Sequence, residues 1–144
     1  MKLSTKSRYA TRLMVNLAWN FQQGPMQLNE ISRKEEISEK YLSQIVITLR
    51  GAGLIRSVRG AHGGYLLTKD PAGITLKEIV EVMEGGLDIV DCLNNEKNCN
   101  RSGQCITRNV WNKVSLAIKK ALEEISLDDL AKQVREADEP MYFI

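Results

Sequence analysis

The chain has a single histidine, His62, no Cys-x-x-Cys pair and no phosphate loop of the G-x-x-x-x-G-K type. A dithiol oxidoreductase or a nucleotide-dependent enzyme therefore lacks its machinery here, and an enzyme is not expected. No segment approaches the roughly 20 apolar residues of a membrane-spanning helix, and the opening MKLSTKSRYATR has no apolar signal-peptide core. A cytoplasmic protein with no membrane partner and no small-molecule substrate is expected. In that compartment its three cysteines serve as thiols or ligands rather than disulfides. Repeats and low-complexity stretches are lacking too. The 144 residues, 43% hydrophobic and 26% charged, suffice for one domain or one domain with an appendage.

Charge is plentiful but unevenly placed. Net charge is only +2, yet residues 1–69 carry 11 Lys/Arg against 4 Asp/Glu, while residues 70–144 carry 9 against 14. A basic first half and an acidic second half suit a polyanion-binding module joined to something that is not one.

The chain is organised around residues 38–68. Ser38 is an N-cap, and Leu42, Ile45, Val46 and Leu49 follow at helical spacing on one apolar face. Gly51 and Gly53 stop that helix. Residues 54–58 and 65–68 read as two short strands joined by the glycine-rich tip Arg59–Gly64. A helix followed by a hairpin with a basic tip is the pattern of a winged helix-turn-helix. Upstream, Leu28 to Lys34 forms a short helix and Glu35–Ile37 a turn, which completes the motif. Lys40, Tyr41, Ser43, Gln44 and Thr48 lie off the apolar face and are candidates to face DNA. Gln44 suits an adenine edge best, while Tyr41 either faces the groove or packs. In the wing, Arg56 and Arg59 point outward, and Ile55 and Val58 pack inward. Arg59 sits at the tip, where a narrow minor groove would attract it. Glycines 60, 63 and 64 clear space for a close approach to the duplex. On such a tip His62 is a phosphate contact or simply exposed, not a metal ligand.

Ser4 or Thr5 caps a first helix with Tyr9, Leu13, Met14, Leu17, Ala18 and Phe21 on its apolar face. Lys2, Lys6, Arg8 and Arg12 crowd its start and oppose its dipole, a cost that phosphates would offset. Thr75–Glu78 opens another helix with a capping-box signature, and Gly85-Gly86 breaks it. A long helix over about 106–125 carries an apolar stripe, Ile106, Val110, Trp111, Val114, Ala117, Ile118, Ala121, Leu122 and Ile125. That stripe is wider than one globular face needs, which predicts packing against a second subunit. Ser126 caps a final short helix, and 136–144 reads as a mobile tail.

All three cysteines, Cys92, Cys99 and Cys105, fall within one nearly all-polar segment. An inert cysteine behaves as a small buried hydrophobe, and this segment offers little apolar cover. Gaps of six and five residues depart from the close pairs of a structural zinc site. An iron–sulfur cluster tolerates such spacings. Zinc, redox thiols and no site at all stay open on spacing alone.

Three features together resemble the IscR-like bacterial transcription regulators, the group of IscR, NsrR, RirA and CymR. They are the opening MKLSTKSRYATR, the segment ISEKYLSQIVITLRGAGLIRSVRGAHGGYLL, and three cysteines before a Trp-containing long helix. The likeness covers about residues 1–135. It implies a mostly α fold with a β-hairpin wing, a winged helix-turn-helix followed by a long dimerisation helix. It also implies a homodimeric regulator of a double-stranded operator that senses cluster, iron or redox status. The division expected is a DNA-binding domain at 1–70, a linker helix at 71–91, a cluster loop at 92–105, dimerisation helices at 106–135 and the tail. Cys92, Cys99 and Cys105 correspond to the cluster cysteines of that group, with a 2Fe-2S or alternatively a 4Fe-4S cluster implied. Ser38, Lys40, Tyr41, Ser43, Gln44, Arg56, Arg59, Gly60, Lys6 and Arg8 are the DNA contacts expected. The departures are informative. Arg108 stands where IscR has a ligating histidine, Arg8 where NsrR has an aspartate, and Ser43 where IscR has a glutamate. The fourth ligand is thus unassigned, with Asp88, Asp91, Glu96, an exogenous thiol or water as candidates. The alternative within the group is a cluster-free regulator of the cysteine-metabolism type, worked by thiol oxidation or a partner protein.

Overall fold

Helix α1 (Thr5–Trp19) is the element on which the others pack, and Ala10, Leu13, Met14, Leu17 and Ala18 are buried along it. The computed structural model describes residues 2–138. Of the two caps expected, Ser4 fills the role, its Oγ accepting from the Ser7 amide at 3.2 Å. A carboxylate from far along the chain assists it. Glu84 accepts from the Ser4 amide at 2.9 Å, from the Ser4 hydroxyl at 2.8 Å and from the Ser7 hydroxyl. An anion at a helix N-terminus is favourable, and here it offsets the basic residues of the first turns.

The helix-turn-helix consists of α2 (Leu28–Glu35) and α3 (Glu39–Gly51). The turn between them passes through Glu36 in the left-handed region, at φ 57°. Glu35 clasps this turn to α1. Its carboxylate accepts from Arg12 Nε at 2.8 Å and from Asn16 Nδ2 at 2.6 Å, and its carbonyl accepts from Arg12 Nη2 at 2.6 Å. Ser38 caps α3 by accepting from the Tyr41 amide. Leu42, Ile45, Val46 and Leu49 are buried, as their spacing predicts. Gly53, at φ +75°, then reverses the chain into the hairpin of β1 (Ile55–Val58) and β2 (Gly64–Leu67). The strands are antiparallel, pairing Ile55 with Leu67 and Val58 with Gly64. Each expected strand boundary lies within one residue of the observed one.

The second half of the chain extends the core built by the first. Helix α4 (Leu76–Glu84) is closed by Gly85 and buries Ile79 and Met83 in the same core as α1 and α3, with Val80 buried beside them. Helix α7 (Leu127–Asp138) buries Leu127 and Ala131 against α1. Backbone pairing starts these two helices side by side. The Leu76 amide donates to the Ile125 carbonyl, and the Leu127 amide donates to the Ile74 carbonyl, both at 2.8 Å. Within the expected linker helix at 71–91, α4 contributes to the core because it carries its own apolar face at i, i+3, i+4, i+7. Residues 136–138 of the expected tail continue α7; its remainder, 139–144, lies outside the described residues.

Between these helices run α5 (Asp91–Asn94), a 3-10 turn (Glu96–Asn98) and the long α6 (Ile106–Glu123). Only Ser115 of α6 is buried, accepting from the Ile89 amide at 3.1 Å, and Lys119 pairs with Asp88 at 2.8 Å. Ile106, Val110, Trp111 and Val114 stay exposed on the single chain. Among the described residues no helix is long and apolar enough to cross a membrane.

The bonds from Ser7 and Ser4 hold the Glu84 carboxyl below its ordinary 4.5. A depressed folded-state value adds stability that is present above pH 4.5 and lost as pH falls through the lower folded value. Glu84→Ala should therefore cost on the order of 0.5–1 kcal/mol at pH 7, in the range of an exposed helix cap. The gap from wild type should narrow as pH falls below 4.5. Thermal melts over a series of pH values followed by circular dichroism check this, and a gap that does not change with pH would refute it.

Candidate DNA interface and cysteine loop

Opposite its buried side, α3 presents Lys40, Ser43, Gln44 and Ile47, all exposed. The Ser43 hydroxyl donates to the Glu39 carbonyl at 2.8 Å, which leaves its oxygen free to accept. Ser38 is exposed, with its hydroxyl engaged in the cap. Tyr41 takes the packing role: it is half-buried and edge-on to Tyr9, with ring centroids 5.5 Å apart. At the start of α1, Lys6 and Arg8 are exposed. Arg12, grouped with them in the sequence, is instead neutralised by Glu35 and lies over the Tyr9 ring. The phosphate expected to satisfy it is replaced by a carboxylate of the chain itself.

The wing carries Arg56 and Arg59 outward, while Ile55 is buried and Val58 half-buried. Among the described residues Lys6, Arg8, Lys40, Arg56 and Arg59 form no ion pair. Exposed cations of this kind are available to phosphates. The glycines of the tip divide into two kinds. Gly60, at φ +114°, has open space around it. A Cβ on Gly64 would come 2.4 Å from the Met26 carbonyl oxygen, and one on Gly63 would come 2.2 Å from that of Val58. Those two positions clear room for the protein's own backbone, not for a duplex. The close approach lets Met26 and Tyr65 exchange amide-to-carbonyl bonds of 3.0 and 2.9 Å, which pin the wing to the loop after α1.

The cysteine segment is folded by its own polar groups. Asn95 Oδ1 accepts from the Lys97 amide at 3.0 Å, and Asn98 Nδ2 donates to the Asp91 carbonyl at 3.1 Å. Ser102 Oγ lies 2.9 Å from the carbonyls of both Glu96 and Cys99. Arg108 Nη2 donates to the Cys92 carbonyl at 3.2 Å and sits 3.6 Å from the Glu96 carboxylate. All three cysteines are free thiols, Cys99 exposed and the other two half-buried. Cys105 occupies the N-cap of α6. The Thr107 hydroxyl, then the Arg108 amide, with a smaller contribution from the Arg101 charge, lower its thiol below the ordinary 9.0. Among the described residues no three His, Cys, Asp or Glu side chains are grouped closely enough to hold a metal. Of the acids named as a fourth ligand, Asp88 is tied to Lys119 and Glu96 faces Arg108; Asp91 is exposed.

A family model described as Rrf2, iron-dependent transcriptional regulator, matches residues 3–133. The chain belongs to the Rrf2 family. It is 40% identical over 131 residues to the transcriptional regulator CymR of Bacillus subtilis, covering 91% of this chain and 90% of that one. The structure of that CymR, described as a global cysteine regulator, superposes with a TM-score of 0.77 at 38% identity over 92% of this chain and 98% of the other. The structure of IscR from T. potens does so with a TM-score of 0.79 at 37% identity, covering 99% and 94%.

As an Rrf2 protein the chain is a DNA-binding transcription regulator, and its family is one of regulators, not enzymes. The winged-helix fold is as the sequence implied. The sequence reading missed Glu35 as the clasp of the turn, Glu84 as a second cap of α1 and Ile47 on the exposed face of α3. Only Ile47 had a local signal, its position seven residues after Lys40. Glu35 and Glu84 meet their partners 23 and 80 residues away.

Gly64 has φ +149° and no room for a side chain. Gly64→Ala should detach the wing at a cost of about 2 kcal/mol or more, whereas Gly60→Ala should cost nearer 1 kcal/mol from backbone strain alone. Urea denaturation of the two variants measures the difference. Equal costs would count against the Met26–Tyr65 pinning.

Proposed function

We propose that the chain is a homodimeric regulator that reads a double-stranded operator with α3 and the wing and takes its signal at the 92–105 loop. The observation that carries the first part is the exposed Lys40, Ser43 and Gln44 face of α3 in a helix-turn-helix that is followed by a wing with Arg56 and Arg59 exposed. In this reading Ser38, Lys40, Ser43 and Gln44 meet the major groove, with Gln44 as the base reader. Lys6 and Arg8 hold phosphates, and Arg56, Arg59 and Gly60 carry the wing's contact. Tyr41 supports α3 from behind through Tyr9. The exposed apolar stripe of α6 supports dimerisation, because Ile106, Val110, Trp111 and Val114 gain burial only from another surface.

For the loop, the donor chemistry suits an iron–sulfur cluster of the 2Fe-2S or 4Fe-4S type held by Cys92, Cys99 and Cys105. Three thiols lie in polar surroundings, one of them acidified at a helix start. As placed, however, the three side chains do not fit such a group, since no three potential ligands gather. The same separation favours a second reading, a cluster-free regulator worked by thiol oxidation or a partner protein.

Two measurements test these readings. Arg59→Ala should weaken operator binding on every sequence and flatten the log Kd against log salt slope by about 1. Unchanged binding would remove the wing from the interface. Iron and sulfide analysis of anaerobically purified protein separates the two readings for the loop: stoichiometric iron and sulfide with broad visible absorption would establish the cluster. A colourless dimer that resists reconstitution would reject the cluster and leave the cluster-free reading.

A further inference from the structure

Neither packing nor charge accounts for Ile47. It is 63% exposed in the middle of a helix that buries its other large aliphatic residues. A β-branched side chain gains nothing there from helix propensity. Its position is nevertheless specific. Ile47 lies seven residues after Lys40, four after Ser43 and three after Gln44, so the four share the face opposite Leu42, Ile45, Val46 and Leu49. The spacing i, i+3, i+4, i+7 is the one with which a recognition helix offers side chains to base edges in the major groove. Lys40, Ser43 and Gln44 have hydrogen-bonding chemistry for those edges. Ile47 has none, and the major groove presents one apolar group only, the C5 methyl of thymine.

We infer that Ile47 reads a thymine methyl in each half-site, a specificity determinant one turn beyond Gln44. The inference rests on α3 being the groove-reading helix. Gln44 suits an adenine edge and Ile47 a thymine methyl, so together they select A·T pairs at the centre of the contact. Ile47 carries no charge and contributes to sequence choice without adding to the phosphate term.

The experiment uses a duplex that the wild-type protein selects from a random-sequence pool. Each thymine of the half-site is replaced in turn by deoxyuridine, which removes the methyl and keeps the pairing. At one thymine the replacement should weaken wild-type binding about fourfold, the effect of one buried methyl-sized group. Ile47→Ala should be indifferent to the same replacement, and Ile47→Val should keep most of the discrimination. The salt slope should be unchanged in both variants. Alanine is a good helix former and the site is exposed, so the fold survives the substitution. A deoxyuridine scan that is flat in wild type, or identical in wild type and Ile47→Ala, overturns the inference. Arg59→Ala and Gln44→Ala separate the two levels. If both bind like wild type, the α3–wing reading fails and takes this inference with it. If both weaken binding while Ile47 shows no coupling to any methyl, only the Ile47 assignment fails.

Discussion

The burial of α1 is the constraint on which the rest of the molecule depends. Its buried residues run Ala10, Leu13, Met14, Leu17, Ala18, and α3, α4, α7 and β2 all pack on it. Two of those positions are alanine, which lets neighbouring helices come close without leaving voids. A helix enclosed on so many sides cannot shift without moving the DNA-facing elements. The turn before α3 is bound to it through Glu35, Arg12 and Asn16. The wing is tied by Met26 to the loop that leaves it. The polar face of α3 points outward because its apolar face has α1 to bury against.

Five cations of the surface are engaged by carboxylates of the chain itself. Arg12, Lys69, Arg108, Lys119 and Lys132 each have a carboxylate partner. The cations around α3 and the wing do not. Exposed pairs of this kind contribute little to stability. Glu84 acts at the other end of α1. It offsets the basic residues there from the last turn of α4, just before the chain turns toward the cysteine segment.

The cysteine loop illustrates how little a spacing says about a conformation. Three thiols in a polar stretch announce soft-ligand chemistry, and the lowered Cys105 thiol agrees with it. The loop is nonetheless held by Asn95, Asn98, Ser102 and Arg108. Arg108 stands where the resemblance places a ligand in IscR, and here it binds the backbone of a cysteine residue instead of a metal.

Local rules made much of this protein legible from its residues. Ser4, Ser38, Thr75 and Ser126 cap helices because a short hydroxyl satisfies first-turn amides wherever it occurs. The face of α3 follows from 3.6-residue periodicity, and the turn at Gly53 from its freedom at positive φ. The same patterns, with the likeness to the IscR group, gave the winged helix, the hairpin and the exposed stripe of α6. Tertiary structure alone decided where α7 packs, which arginine is neutralised and what Gly63 and Gly64 make room for. Each of these depends on a partner distant in sequence: Ala131 against α1, Glu35 beside Arg12, the Met26 carbonyl against Gly64. Periodicity and capping are properties of a single helix and can be read along the chain. A contact between two elements is fixed only when both are buried against each other, and no local pattern encodes that meeting.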